Sequence, residues 1–286
     1  MQTSRPDLRP LVSDLSTCHL IVDPPASGAW NMAVDEALLA AAADEGTATL
    51  RLYQWIEPTL SLGYFQRYED RQQHAASLAS AVVRRSSGGG AILHDRELTY
   101  SLALPERLVP DPHRLYLQVH GALVEVLSQL AGGQLGDRTL RICEQDAASP
   151  ADGEPFLCFE RRARGDVLLK CPTNMAGSSR DSADGTAAEP ADWKLVGSAQ
   201  RRRRGAILQH GSLLLGRSNA APELPGLSDL TGAAAELGPL VAAVAAAIGA
   251  ALGFAMQETE LPRAIRAAAR PIEASKYATG QWTKRR

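Results

Sequence analysis

The chain lacks paired cysteines. Its four, Cys18, Cys143, Cys158 and Cys171, form no CxxC motif, so the spacing expected of a zinc site is missing. Four cysteines in 286 residues are also too few for a disulfide scaffold. No apolar core of signal-peptide length opens the chain, since residues 1–14 are polar and carry prolines and charges. No long apolar run is unbroken either. The most hydrophobic stretch, 237–256, is interrupted by Gly238, Pro239, Gly249 and Gly253. It is expected to be a buried or amphipathic helix rather than a membrane span. Net charge is only −2, which excludes the broad basic surface of a general nucleic-acid binder. The expectation is a soluble, cytoplasmic protein with neither membrane nor nucleic acid as partner.

What is present suits a folded domain: 45% hydrophobic and 22% charged residues leave ample material for a core. Residues 17–23, 48–55, 59–63, 81–85, 91–93, 97–104, 164–169, 193–198 and 206–215 read as strands. Residues 27–43 and 115–130 carry apolar residues at helical spacing, 70–78 reads as a polar helix, and the C-terminal part as mostly helical. The alternation of short strands and helices gives an α+β or α/β fold. Residues 1–16 read as a flexible arm, and 17–286 as one domain. Residues 171–192, rich in Ser, Ala, Gly, Asp and Pro, read as a flexible insertion. Arg201-Arg202-Arg203-Arg204 is the one strong basic cluster. It reads as a solvated hairpin turn; its functional reading is a docking patch for an acidic protein.

Chemistry concentrates in two blocks. The first is Arg84-Arg85-Ser86-Ser87-Gly88-Gly89-Gly90-Ala91-Ile92-Leu93-His94-Asp95. Three consecutive glycines let the backbone approach a ligand with no Cβ in the way, and let successive N–H groups converge on one oxygen. His94 and Asp95 follow as candidate pocket walls or hydrogen-bonding groups. The second block is Lys194-Leu195-Val196-Gly197-Ser198-Ala199-Gln200. Most lysines are solvated surface residues, but Lys194 has apolar neighbours and needs a partner, which a ligand carbonyl, carboxylate or phosphate supplies. His210, in Gln209-His210-Gly211-Ser212, either lines the same cavity or makes a structural hydrogen bond. Cys158, in Phe156-Leu157-Cys158-Phe159-Glu160, is either an inert buried thiol or a nucleophile, which needs a cation or N–H donors beside it. Residue reading leaves that choice open.

With Asn31-Met32-Ala33-Val34-Asp35-Glu36, Leu60-Ser61-Leu62-Gly63-Tyr64-Phe65-Gln66 and Glu97-Leu98-Thr99-Tyr100-Ser101, these blocks fall in an order that resembles the superfamily of lipoate–protein ligases, octanoyltransferases and biotin–protein ligases. The resemblance covers about 17 to the C-terminus. It implies an α+β catalytic domain with mixed and antiparallel sheets flanked by helices. Cys158-Phe159-Glu160 ahead of the Lys194 block, with Lys276-Tyr277 and Trp282, resembles the LipM-type octanoyltransferases. That branch implies an acyl-cysteine intermediate on Cys158, with Lys194 as the second catalytic residue. It implies substrate binding by Arg85, Ser87, Gly88, Gly89, Gly90, His94, Asp95, Gly197, Ser198, Ala199 and His210. The donor is then octanoyl-acyl carrier protein or an octanoylated carrier. The acceptor is a lipoyl domain or the glycine cleavage H protein, and no metal or cofactor is needed; the sequence leaves the oligomeric state open, and a monomer is the expectation. The alternative is a lipoate–protein ligase using ATP and Mg, with Cys158 structural. A non-catalytic acyl-carrier-binding homologue is the third reading.

Overall fold

The computed structural model describes residues 16–146, 154–171 and 192–286. The arm expected at 1–16 and the insertion expected at 171–192 fall almost wholly outside the described residues. In chain order the elements are β1 (Ser16–Val22), α1 (Gly28–Asp44), β2 (Thr49–Tyr53), β3 (Thr59–Leu62), β4 (Ala81–Arg84), β5 (Ile92–His94), β6 (Glu97–Pro105), α2 (Pro112–Ala131), β7 (Thr139–Ile142), β8 (Val167–Lys170), β9 (Asp192–Arg203) and β10 (Ala206–Leu214). There follow α3 (Leu227–Thr231), α4 (Leu237–Leu252), β11 (Phe254–Glu258), α5 (Arg263–Ile272) and α6 (Gly280–Thr283). An eight-stranded sheet has the order β11-β1-β2-β6-β10-β9-β8-β7, and a three-stranded sheet the order β4-β3-β5. In the large sheet β1 is parallel to both its neighbours and the remaining pairs are antiparallel. This is the mixed α+β arrangement expected.

Strand alternation sorts the side chains of the large sheet between two cores. From β2, Leu50 and Leu52 join Tyr100, Leu102 and Leu104 of β6 in packing with Leu115, Val119 and Leu123 of α2 and Val244 and Ile248 of α4. Each such side chain, fully buried, contributes at most about 1.5–3 kcal/mol. Tyr53 and Ala103 lie in the other core, with Ala33, Val34 and Leu38 of α1 and Ile265 and Ala269 of α5. On that same side Arg51 meets Asp35 of α1 at 3.0 Å and Asp23 at 2.6 Å. The ends of α2 follow from local chemistry. The Asp111 side chain accepts from the His113 N–H, and Pro112 occupies the first helical position, where its missing N–H costs nothing.

Three expectations are corrected. Residues 70–78 are not one helix but two short 3₁₀ turns, Glu69–Gln73 and Ala75–Ser77, and none of the first is buried. A polar segment with no apolar stripe has nothing to hold it on the core. The apolar stretch 237–256 is not all helix: Gly253, at φ +82°, ends α4, and Phe254–Glu258 becomes the edge strand β11. Strand β7, opposite β8, was not expected. Among the described residues no helix is long and apolar enough to cross a membrane.

The hairpin expected at 201–204 is present, but β9 runs on through Arg203, and the tip is Arg204-Gly205. The four arginines do not form one patch. Arg202 pairs with Glu106, and Arg203 pairs with Glu36 at 3.0 Å. Arg201 reaches the other way and donates to the Ser86 carbonyl at 3.1 Å.

Candidate active site

The small sheet presents the glycine loop. Strand β4 leads into residues 85–90 and β5 leaves them, both paired to β3. Immediately after the glycines, the Ala91 N–H donates to the Phe156 carbonyl at 3.1 Å, and the Cys158 N–H donates back to the Ala91 carbonyl at 2.7 Å. This short bridge brings Cys158, distant in sequence, against the loop. The approach is tight. A Cβ on Gly90 would lie 3.2 Å from Cys158 Cα and 3.1 Å from the Arg161 guanidinium carbon. Cys158 opens a single 3₁₀ turn, Cys158–Glu160, and is partly exposed, whereas Phe159 beside it is buried.

Lys194 arrives from β9. Its ammonium lies 2.8 Å from Asp166 Oδ2, 3.3 Å from the Cys158 carbonyl and 3.6 Å from Cys158 Sγ. Lys194 and Asp166 are both buried. The register explains the aim: Leu168 pairs with Lys194 but Val167 pairs with Val196, so Leu195 is an extra residue in β9. Such a bulge re-aims the side chains around it. The ammonium also needs space beside the strand, since a Cβ on Gly197 would stand 2.5 Å from Lys194 Cε. Burial opposes the lysine's charge, but Cys158 and Asp166 outweigh it and hold its pKa above the ordinary value. The cation that a reactive Cys158 requires is therefore in place.

Arg85 fastens the glycine loop. It is buried and donates to the carbonyls of Gly88 and Gly90, both at 2.9 Å, and to Ser61. Burial lowers its pKa to about 10 in spite of Cys158 nearby. With those carbonyls occupied, the N–H groups of Gly88, Gly89 and Gly90 have no partner among the described residues. His94 stacks on Trp55 at 3.9 Å, with Nδ1 2.7 Å from Glu97 and Nε2 2.7 Å from Ser61 Oγ. Arg85, His94, Ile92, Ala199, His210 and Gly211 border a cavity of about 20 Å³. A larger hollow, about 340 Å³, lies between Ser27, Tyr68, Val82 and Thr279 and borders none of these groups.

His210 and Ser87 meet at 2.5 Å, and the far nitrogen of His210 faces the Asp35 carboxylate at 3.7 Å. Burial works against the Asp35 charge, but His210, Arg51 and Ser101 outweigh it and lower its pKa. Ser198 is engaged elsewhere, by Tyr100 and His120. Its hydroxyl belongs to a hydrogen-bond series from the Gln200 amide to Gln209, then Tyr100, Ser198, His120 and the Gly165 carbonyl. The amide at one end and the carbonyl at the other fix its direction, so His120 carries its proton on Nδ1. Asp95 stands apart, in the β5–β6 turn beside a different small cavity with Arg96 and Leu214.

The structure thus sets Gly90 and Lys194 against Cys158, Gly197 against Lys194, and Arg85 on the carbonyls of Gly88 and Gly90. His94, Ala199, Ser87 and His210 stand behind the loop. Sequence reasoning missed Asp166, Asp35, Glu97 and His120 as supporting groups. Asp35 and Glu97 lay in quoted motifs, and nothing in Gly165-Asp166 pointed across the fold to Lys194. Among the described residues no group of three or more His, Cys, Asp or Glu could hold a metal ion.

The family model of the lipoyl protein ligase A/B catalytic domain matches residues 27–221. The octanoyltransferase LipM of Kyrpidia tusciae is 34% identical over 299 residues, which cover 95% of this chain and 100% of that protein. The octanoyltransferase LipM of Oceanobacillus iheyensis is 34% identical over 196 residues, 67% of this chain and 61% of its own. A solved lipoate-protein ligase A bound with ATP superposes with a TM-score of 0.63 at 18% identity, covering 94% of this chain and 98% of its own. A bi-partite lipoate protein ligase from Thermoplasma acidophilum, described with its E2 lipoyl domain, gives 0.61 at 16% identity, with 95% and 96% covered. At these identities the two structures show the fold alone.

Proposed function

We propose that this chain, which belongs to the lipoyl protein ligase A/B catalytic-domain family and is an octanoyltransferase of protein lipoylation, moves its acyl group in two steps through a thioester on Cys158. In the first step the Cys158 thiolate attacks the carbonyl carbon of an octanoyl thioester on a donor carrier protein. A new C–S bond forms, the carrier's C–S bond breaks, and the carrier thiolate leaves and takes up a proton. In the second step the neutral amine of an acceptor lysine attacks the same carbon. The C–N bond forms, Cys158 leaves as thiolate, and the amine's surplus proton is released. The acceptor is a lipoyl domain or the glycine cleavage H protein.

The observation that carries this reading is the Lys194 ammonium, locked by Asp166 and 3.6 Å from Cys158 Sγ. It stands where negative charge on the Cys158 sulfur is stabilised, first as nucleophile and again as leaving group. The unpartnered N–H groups of Gly88, Gly89 and Gly90 are the donors for the carbonyl oxygen as charge develops on it. The octanoyl chain has its walls in Met32, Trp55, Ile92 and Ala199, each buried methylene adding ~0.8 kcal/mol. The present cavity of about 20 Å³ has room for about one water, so the loop parts from β10 when the chain enters. The donor is already a thioester, so the route consumes no nucleotide and calls for no metal. Its place is the cytoplasm, and the working unit is a monomer.

Incubation with octanoyl-carrier protein and a lipoyl domain, without ATP, tests the reading. Octanoylation of the acceptor lysine, lost in Cys158→Ala with the fold retained, is expected. Octanoylation that requires free octanoate with ATP and Mg, and survives Cys158→Ala, makes the chain a ligase instead. Carrier binding without any turnover makes it a non-catalytic homologue.

A further inference from the structure

A cationic and aromatic rim stands over the glycine loop, and no step of the acyl transfer uses it. Tyr64 and Phe65 follow β3, and the Tyr64 N–H donates to the Ser87 carbonyl at 2.8 Å. The guanidinium carbons of Arg201 and Arg285 lie 5.5 Å and 4.5 Å from the Tyr64 ring centre. That of Arg286 lies 5.3 Å from the Phe65 ring. These arginines come from opposite parts of the chain and are held there. Arg201 is fixed by the Ser86 carbonyl. The segment bearing Arg285 and Arg286 is strapped to β4: Arg84 donates to the Thr283 carbonyl at 2.8 Å, and Trp282 donates to the Arg84 carbonyl at 2.9 Å.

Two features separate this rim from an ordinary solvated surface. Arg202 and Arg203, next to Arg201 in sequence, have carboxylate partners, whereas Arg201, Arg285 and Arg286 have none among the described residues. Positive charge is thus left uncompensated at one place on a chain whose net charge is −2. The rim also has an apolar part: Phe65 is 67% exposed and meets Tyr64 edge-on, with ring centres 4.9 Å apart. An exposed Phe65 under Arg286, next to a Tyr64 that carries Arg201 and Arg285, suits a protein surface that is apolar with acidic surroundings.

We propose that this rim is the docking surface for the acceptor domain and selects acceptors whose target lysine is flanked by carboxylates. The inference rests on the two-step transfer proposed above. A lysine amine approaching Cys158 over three uncompensated guanidinium groups is repelled as long as it is protonated. Carboxylates beside it cancel that repulsion and pair with Arg201, Arg285 and Arg286, while Phe65 meets the apolar part of the same face. The rim adjoins Ser86 and Ser87, and the loop they begin ends at Gly90, against Cys158. An acceptor seated on it therefore has its lysine near the thioester.

The test separates docking from chemistry. Cys158 is loaded with octanoate from its N-acetylcysteamine thioester, and single-turnover transfer to an E2 lipoyl domain is followed against acceptor concentration. For R285E/R286E the acceptor concentration giving half-maximal rate is expected to rise about ten-fold or more, with loading and the maximal rate unchanged. Raising salt from about 50 to about 300 mM should shift the wild-type value upwards and the variant much less. A lipoyl domain with its lysine-flanking carboxylates changed to amides should lose the wild-type advantage. An unchanged half-saturation in R285E/R286E overturns the proposal. So does a raised half-saturation with octanoyl-carrier protein alone, which makes the rim a donor site, or retention on phosphatidylglycerol vesicles without any effect on the acceptor. If no thioester forms on Cys158, the two-step reading fails. Docking is then read by fluorescence titration of the lipoyl domain onto wild type and R285E/R286E, where equal affinities overturn it.

Discussion

Lys194 Nζ lies 3.6 Å from Cys158 Sγ, though the two residues enter the site on different elements, one on a bulged strand and one on a 3₁₀ turn. The contact links the ammonium to the reactivity of the thiol. Lys194→Met keeps an unbranched side chain, one heavy atom shorter, and removes its charge. Acyl-enzyme formation should slow by about a hundred-fold or more. Alkylation of Cys158 by iodoacetamide should slow, as followed by mass spectrometry at several pH values. An alkylation profile identical to wild type would disconnect Lys194 from the thiol.

Asp166 is predicted to matter for stability as much as for rate. It is buried and accepts from the Lys194 ammonium, from the Tyr116 hydroxyl at 3.1 Å and from the Ala163 N–H at 2.8 Å. Asp166→Asn leaves a buried ammonium without its counter-charge, at a cost of about 3 kcal/mol. Urea unfolding measures it. The double variant Asp166→Asn/Lys194→Met should recover part of the loss, since no unpaired charge then remains buried. Additive losses would mean that the two side chains act independently.

Gly197 gives a purely steric test. In Gly197→Ala the new methyl would stand 2.5 Å from Lys194 Cε. A displacement of the ammonium by about 1 Å should slow transfer by roughly a hundred-fold, with circular dichroism and melting temperature little changed. Wild-type turnover in this variant would show that Lys194 needs no fixed position.

The His120 series predicts a pH window for stability. Burial lowers the His120 pKa from 6.5 to about 4, with Gly165 and Asp166 opposing. The folded state thus disfavours the protonated ring. The sign follows from that depression: the contribution is complete above about 6.5 and is lost progressively as pH falls towards about 4. At its full extent the shift corresponds to about 3 kcal/mol. Melting temperature should therefore drop between pH 6.5 and 4, and His120→Gln should flatten that part of the curve. A slope unaltered by His120→Gln would assign the acid sensitivity to other groups.

The parts of the site written locally in the chain were legible. The glycine loop, Lys194 with Gly197, and Cys158-Phe159-Glu160 are short runs with unusual composition, and the amphipathic repeat of α2 is a strong periodic signal. What could not be read was tertiary pairing. Asp166 follows a glycine in an arginine-rich loop, and only the fold shows that it meets Lys194 from the neighbouring strand. The bulge at Leu195 leaves no mark in a sequence where Leu195 and Val196 are both apolar. Strands β7 and β11 are short, and β11 sits at a sheet edge, so neither has an alternating pattern. The arginine run was legible as a hairpin, but its division was not. It looks like one patch, but β9 separates its members, and Arg201 finds its companions at the far end of the chain.

The central claim is that octanoate passes through Cys158. Intact-protein mass spectrometry after mixing the enzyme with octanoyl-carrier protein, without nucleotide, tests it most directly. The account predicts one octanoyl adduct, mapped to Cys158, that disappears as an added lipoyl domain gains the same mass on its lysine. Octanoylation of the lipoyl domain at full rate, with no adduct on the enzyme and with Cys158→Ala equally active, would contradict it.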